Sequence, residues 1–135
     1  MLDFLFAPKA SRQVLAALRA LGDEFESGPP GHMAFQSVRE MAARDIGRSP
    51  KRLAATLAHY PNPRNVALMT LIEVSGNALA SGAHHVYRGM LSMQGEWIRD
   101  VFYRAVDELG AAGIMSAEEV ASSRNMLAER IAGAG

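Results

Sequence analysis

At 135 residues the chain is long enough to bury a core of its own and short enough to read as one domain spanning 1–135. Its 49% hydrophobic and 21% charged residues suit an ordinary folded chain, and 14 basic against 14 acidic residues leave no overall field to announce a nucleic-acid or membrane partner. Cysteine is absent, which excludes disulfides, thiolate metal sites and cysteine nucleophiles and fits the reducing cytoplasm expected as the location. No run approaches the roughly eighteen apolar residues of a membrane span. Residues 1–9 read as an apolar N-terminal arm that lacks the cationic start of a signal peptide.

In chain order, helix signals dominate and strand signals are missing. The first amphipathic helix runs over residues 10–25, with Val14, Leu15, Leu18, Leu21 and Phe25 on one face. A Pro/Gly linker over 27–32 stops it. Phe35, Val38, Met41, Ala42 and Ile46 define a second helix, with Gly47 as a left-handed C-terminal cap. Ser49-Pro50 and Asn62-Pro63 each place a capping side chain before a proline at the first helical position, opening a third and a fourth helix.

The fourth helix is the most informative. Over residues 62–92 it is apolar almost all the way round, with Thr70, Glu73, Asn77, Ser81, His84 and Arg88 on one narrow line. That pattern predicts the central helix of a bundle or half of an oligomer interface. Whether it continues through Gly82 is left open. Ser75, Gly82 and Gly89 form a second line, of small residues seven apart, suited to close approach by a neighbouring helix. Trp97, Ile98, Val101, Phe102, Ala105, Val106 and Leu109 then mark one face of a fifth helix, and a Ser116-x-x-Glu119 capping box opens the last. The tail over 133–135 should fray. The expected fold is an all-α, single-domain bundle of five or six helices around a long central one.

Charge is segregated. Between Gln36 and Asn65 the basic residues exceed the acidic by four, and from Glu96 onward the acidic exceed the basic by three. The two regions either attract one another, within the fold or between subunits, or offer the basic part to an anionic partner. Residues 37–68 hold the most specific local signal: Ala43 four before the turn residue Gly47, and Leu53 six after it. Those spacings let two helices cross around a glycine turn. With His59-Tyr60-Pro61, Arg64 and Leu68 beyond, this stretch resembles the DNA-binding end of the tetracycline-repressor family. The resemblance implies a helix-turn-helix over 38–58 in which Ser49, Lys51 and Arg52 face DNA and Arg64 a phosphate.

Chemistry has little support. Glu73 is the one carboxylate in a strongly apolar segment, and with His84 and Tyr87 it could line a ligand-binding or enzymatic pocket. An arginine partner for Glu73 is the commoner outcome. Adjacent histidines on a helix point about 100° apart, and Glu73 lies about 16 Å from His84 along a helix, so no metal site is expected within one helix. There is no phosphate-cradling glycine loop, dinucleotide fingerprint or nucleophile elbow, and no cofactor is expected.

The leading expectation is a non-enzymatic helical interaction module, an accessory subunit or a homo-oligomer, with Ser75, Gly82, Gly89 and Trp97 at the interface. Arginine greatly outnumbers lysine, which suits interfaces because its fork pairs carboxylates in two places. A small DNA-binding regulator and a Glu73/His84/Tyr87 pocket are the alternatives.

Overall fold

The computed structural model describes residues 2–28, 30–81 and 85–133, without the side chains of residues 2–8 and of Tyr87. It is an all-α bundle. Among the described residues there are six helices: α1 (Leu2–Ser27), α2 (His32–Arg48), α3 (Pro50–His59), α4 (Pro63–Ser81), α5 (Met93–Ala111) and α6 (Ala117–Gly133). None is long and apolar enough to cross a membrane.

The apolar wrap of α4 decides the arrangement. A helix whose buried residues include Val66, Ala67, Leu68, Leu71, Ser75, Gly76 and Leu79 must be covered on several sides. Helix α5 lies closest along it, α1 and α2 flank it, and α3 and α6 touch it more lightly. Each fully buried Leu or Val stabilises by about 1.5–3 kcal/mol relative to exposure, so α4, with Val66, Leu68, Leu71 and Leu79, and α5, with Ile98, Val101, Phe102, Val106 and Leu109, are both major sources of core stability. The wet side of α4 is narrow: Glu73, Asn77, Ala80 and Ser81 are exposed, whereas Thr70 is buried and its hydroxyl donates to the Val66 carbonyl.

Several local expectations change. The fourth helix ends at Ser81, and residues 82–84, with Gly82, lie outside the described ones. Beyond them the chain forms a two-stranded antiparallel ladder, β1 (Val86–Tyr87) with β2 (Met90–Leu91), pairing Val86 with Leu91 and Tyr87 with Met90. The two turn residues, Arg88 at φ 53° and Gly89 at φ 75°, are both left-handed, as a two-residue hairpin twisted to match its strands requires. Ser92 then caps α5, its hydroxyl accepting from the Gly95 amide, so α5 opens well before Trp97. Helix α1 runs back to Leu2 through Pro8, so the N-terminal arm is its first turns, although an interior proline removes one backbone hydrogen bond and crowds the carbonyl four residues earlier.

Caps divide in the same way. Asn62 Oδ1 accepts from the Arg64 amide, and Ser116 with Glu119 closes the capping box in both directions. Ser49 makes no side-chain cap. Gly47 is not a left-handed cap either: α2 continues through it to Arg48, and the left-handed glycines of the described chain are Gly31, Gly89 and Gly113. The linker contracts to 28–31, and across it His32 Nδ1 lies 3.2 Å from Glu26 Oε2 while Gln36 donates to Glu26 Oε1 at 3.0 Å. Residues 134 and 135, most of the expected frayed tail, lie outside the described residues.

Two glycine substitutions should move stability in opposite directions, read by thermal or urea unfolding. Gly47 is exposed, helical and has open space where a Cβ would stand, so Gly47→Ala should stabilise by about 0.5–1 kcal/mol. At Gly76 a Cβ would stand 3.3 Å from the Phe102 ring, so Gly76→Leu should destabilise by about 1–3 kcal/mol or more.

The linker clamp predicts an acid dependence. The His32 hydrogen bond, then that from Gln36, holds the Glu26 carboxyl below its ordinary value of 4.5. A carboxylate lowered on folding stabilises the fold above its ordinary pKa, and that contribution fades as pH falls through the lowered one. Carboxyl-detected NMR should place the Glu26 midpoint below 4.5, and His32→Ala should move it back up.

Candidate functional site

The basic corner that resembled a helix-turn-helix spends part of its charge internally. Arg52 Nη2 donates to Asp45 Oδ2 at 3.2 Å, and its Nη1 lies 3.8 Å from Glu73 Oε1. Arg64 Nη2 donates to Glu24 Oε1 at 3.0 Å and to Glu108 Oε2 at 3.3 Å, tying α4 to α1 and α5. Arg104 completes that cluster, donating to Glu108 Oε1 at 3.0 Å and lying 4.6 Å above the Phe25 ring. Of the four residues placed at DNA by resemblance, Arg52 and Arg64 are therefore engaged within the fold. Ser49 sits half-buried at the start of α3, and Lys51 is exposed. Helix α3 packs chiefly on α1, not across α2.

The pocket of Glu73, His84 and Tyr87 does not assemble on one helix. Glu73 is half-exposed and turned to Arg52; Tyr87 is carried by the hairpin; His84 and the Tyr87 side chain lie outside the described residues. Among the described residues no three His, Cys, Asp or Glu side chains are grouped to hold a metal.

The small-residue line is likewise split. Ser75 is in the core, its hydroxyl bonded to the Leu71 carbonyl of its own helix. Gly89 is in the hairpin turn, where a Cβ would meet the Ala132 carbonyl oxygen at 3.4 Å. Trp97 is half-buried against the core. Close approach of helices falls instead to Gly76, against Phe102, and to Gly22, whose Cβ would stand 3.2 Å from Phe35.

The arrangement with the most to offer a partner lies between α1 and α3. An open groove of about 480 Å³ is lined by Lys9, Ala10 and Gln13 of α1, by Lys51, Ala54, Ala55, Leu57 and Ala58 of α3, and by Pro61. Lys9 and Lys51 are the only two lysines in the chain. They are 42 positions apart, yet the fold brings both to the same groove, exposed and without an ion pair among the described residues. Four alanines keep the wall low, so a helix backbone could approach closely. Single-chain spacing had no means of linking Lys9 to Lys51. The rarity of lysine was visible; its convergence was not.

Smaller grooves exist, one of about 240 Å³ where Arg44, Asp45 and Arg48 face Asn77 and Ser81, and one of about 370 Å³ between the hairpin, α5 and α6. Comparison with protein families, with curated proteins and with solved structures finds no match for this chain.

The contrast between engaged and free cations is measurable. Arg64→Ala leaves Glu24 and Glu108 without that partner and should cost about 1 kcal/mol in urea unfolding. Lys51→Ala removes an exposed charge with no ion pair among the described residues and should change stability by less than about 0.5 kcal/mol.

Proposed function

We propose that this chain is a non-enzymatic helical interaction module, acting as a homo-oligomer or as an accessory subunit, and that the α1–α3 groove is where it binds. The observation that carries this reading is the convergence of the chain's two lysines, neither in an ion pair among the described residues, on an alanine-walled groove. Shallow apolar floors with charged rims suit the side of a helix: small residues permit close contact, and the rim charges select a partner of opposite sign. The carboxylate best placed by sequence to do chemistry, Glu73, is occupied by Arg52 at the surface. Freedom from cysteine fits a module that works in a reducing compartment.

A photo-cross-linking amino acid at Ala55, introduced in cells that make the protein, tests this directly. A discrete cross-linked species is expected at Ala55 and not at Ala20, which is exposed on α1 away from the groove lining. Equal, faint labelling at both positions would remove the reading.

A further inference from the structure

The interaction-module reading leaves the occupant of the groove open, and we infer that it is the acidic outer face of α6 from a second copy of this chain. Helix α6 buries only Leu127 and Ile131 fully, and it is fastened to α5 by the ion pair of Arg124 with Asp107 at 3.0 Å. Its opposite side is exposed along the helix at Glu118, Ala121, Ser122, Asn125 and Glu129. Glu118 and Glu129 are eleven positions apart, which returns them to nearly the same face about 16 Å from one another. Neither makes an ion pair among the described residues.

Two surfaces of one chain are thus left with unsatisfied charge of opposite sign and with small side chains between the charges. The groove has Lys9 and Lys51 beside Ala54, Ala55 and Ala58; the helix has Glu118 and Glu129 around Ala121, Ser122 and Asn125. Within one molecule α6 is docked on α5, α4 and the hairpin and has no substantial packing on α1 or α3, so its outer face does not fill the groove. Between molecules nothing prevents it. The contact joins two different surfaces, so it either closes reciprocally in a pair or continues from copy to copy.

Charge reversal tests the idea. At about 0.05 M salt the wild type should sediment as an assembly, and its apparent dissociation constant should rise on the order of tenfold or more by about 0.5 M, because exposed pairs are screened. The double variants Lys9→Glu/Lys51→Glu and Glu118→Lys/Glu129→Lys should each run as single chains with unchanged melting, since all four side chains are exposed. An equal mixture of the two variants should associate again, because the reversed groove of one then meets the reversed helix face of the other. Carbodiimide coupling of the wild type should join Lys9 or Lys51 to Glu118 or Glu129 between chains. A wild type that stays a single chain at low salt, a variant that assembles like the wild type, or a mixture that fails to recover overturns the inference. A single-chain wild type whose Ala55 cross-links to a different protein overturns self-docking and leaves the interaction-module reading standing.

Discussion

The fold depends on one constraint: α4 has almost no surface that tolerates water. Its buried residues recur on every side except the line of Glu73, Asn77 and Ser81, so neighbours must close around it from several directions. Helix α5 comes nearest because Gly76 lets the Phe102 ring lie against the α4 backbone, and a close crossing there sets the depth to which the rest of the bundle can pack. Helices α1 and α2 then cover the flanks through Phe25, Phe35 and Val38. The first two rings meet edge to face at 5.5 Å between centroids.

Once the core is committed, charge is distributed according to what lies next to each helix end. Arg64 stands at the start of α4 between the carboxylates of α1 and α5, and Arg104 reaches both Glu108 and the face of Phe25. Arginine does this work because its planar fork serves two acceptors and its face stacks on a ring, neither of which a lysine ammonium does as well. Lysine, in contrast, is found only at Lys9 and Lys51, where no carboxylate of the same molecule meets it among the described residues. Arg64 and Arg104 thus tie helices together, whereas both lysines, like Arg12, Arg19, Arg39, Arg48 and Arg130, are exposed and outside the ion pairs among the described residues.

Much of the architecture was legible in the sequence because periodicity reports burial. Val14, Leu18, Leu21 and Phe25, or Ile98, Val101, Phe102, Ala105 and Leu109, recur at helical spacing and are all buried. The capping box at Ser116 and Glu119 was readable for the same reason: it is a local hydrogen-bond pattern with a fixed spacing. The hairpin was not. Val86, Met90 and Leu91 continue the apolar rhythm of α4, and the Arg88-Gly89 turn lacks the Asn-Gly or Asp-Gly pair that marks such hairpins. The candidate site was hardest to see, because Lys9 meets Lys51 only through the packing of α1 on α3, a tertiary fact with no local signature. The same holds for Arg52 and Glu73, which were assigned to separate roles and turn out to face each other.

Charge segregation along the chain takes its meaning from the route the chain follows. A basic middle and an acidic end could have cancelled inside the molecule had α6 folded back over α2 and α3. It does not, because Leu127 and Ile131 bury against the far side of the bundle, where α5, α4 and β2 receive them. Burial of two such side chains is worth several kcal/mol. Exposed ion pairs contribute about 0–1 kcal/mol each, so the apolar contact decides where α6 goes and the charges must accept the result. A molecule neutral as a whole is thereby left with a positive groove at one place and a negative helix face at another. Neutrality of the chain, read from composition alone, conceals this; only the packing preference of two apolar residues turns a balanced sequence into a polarised surface.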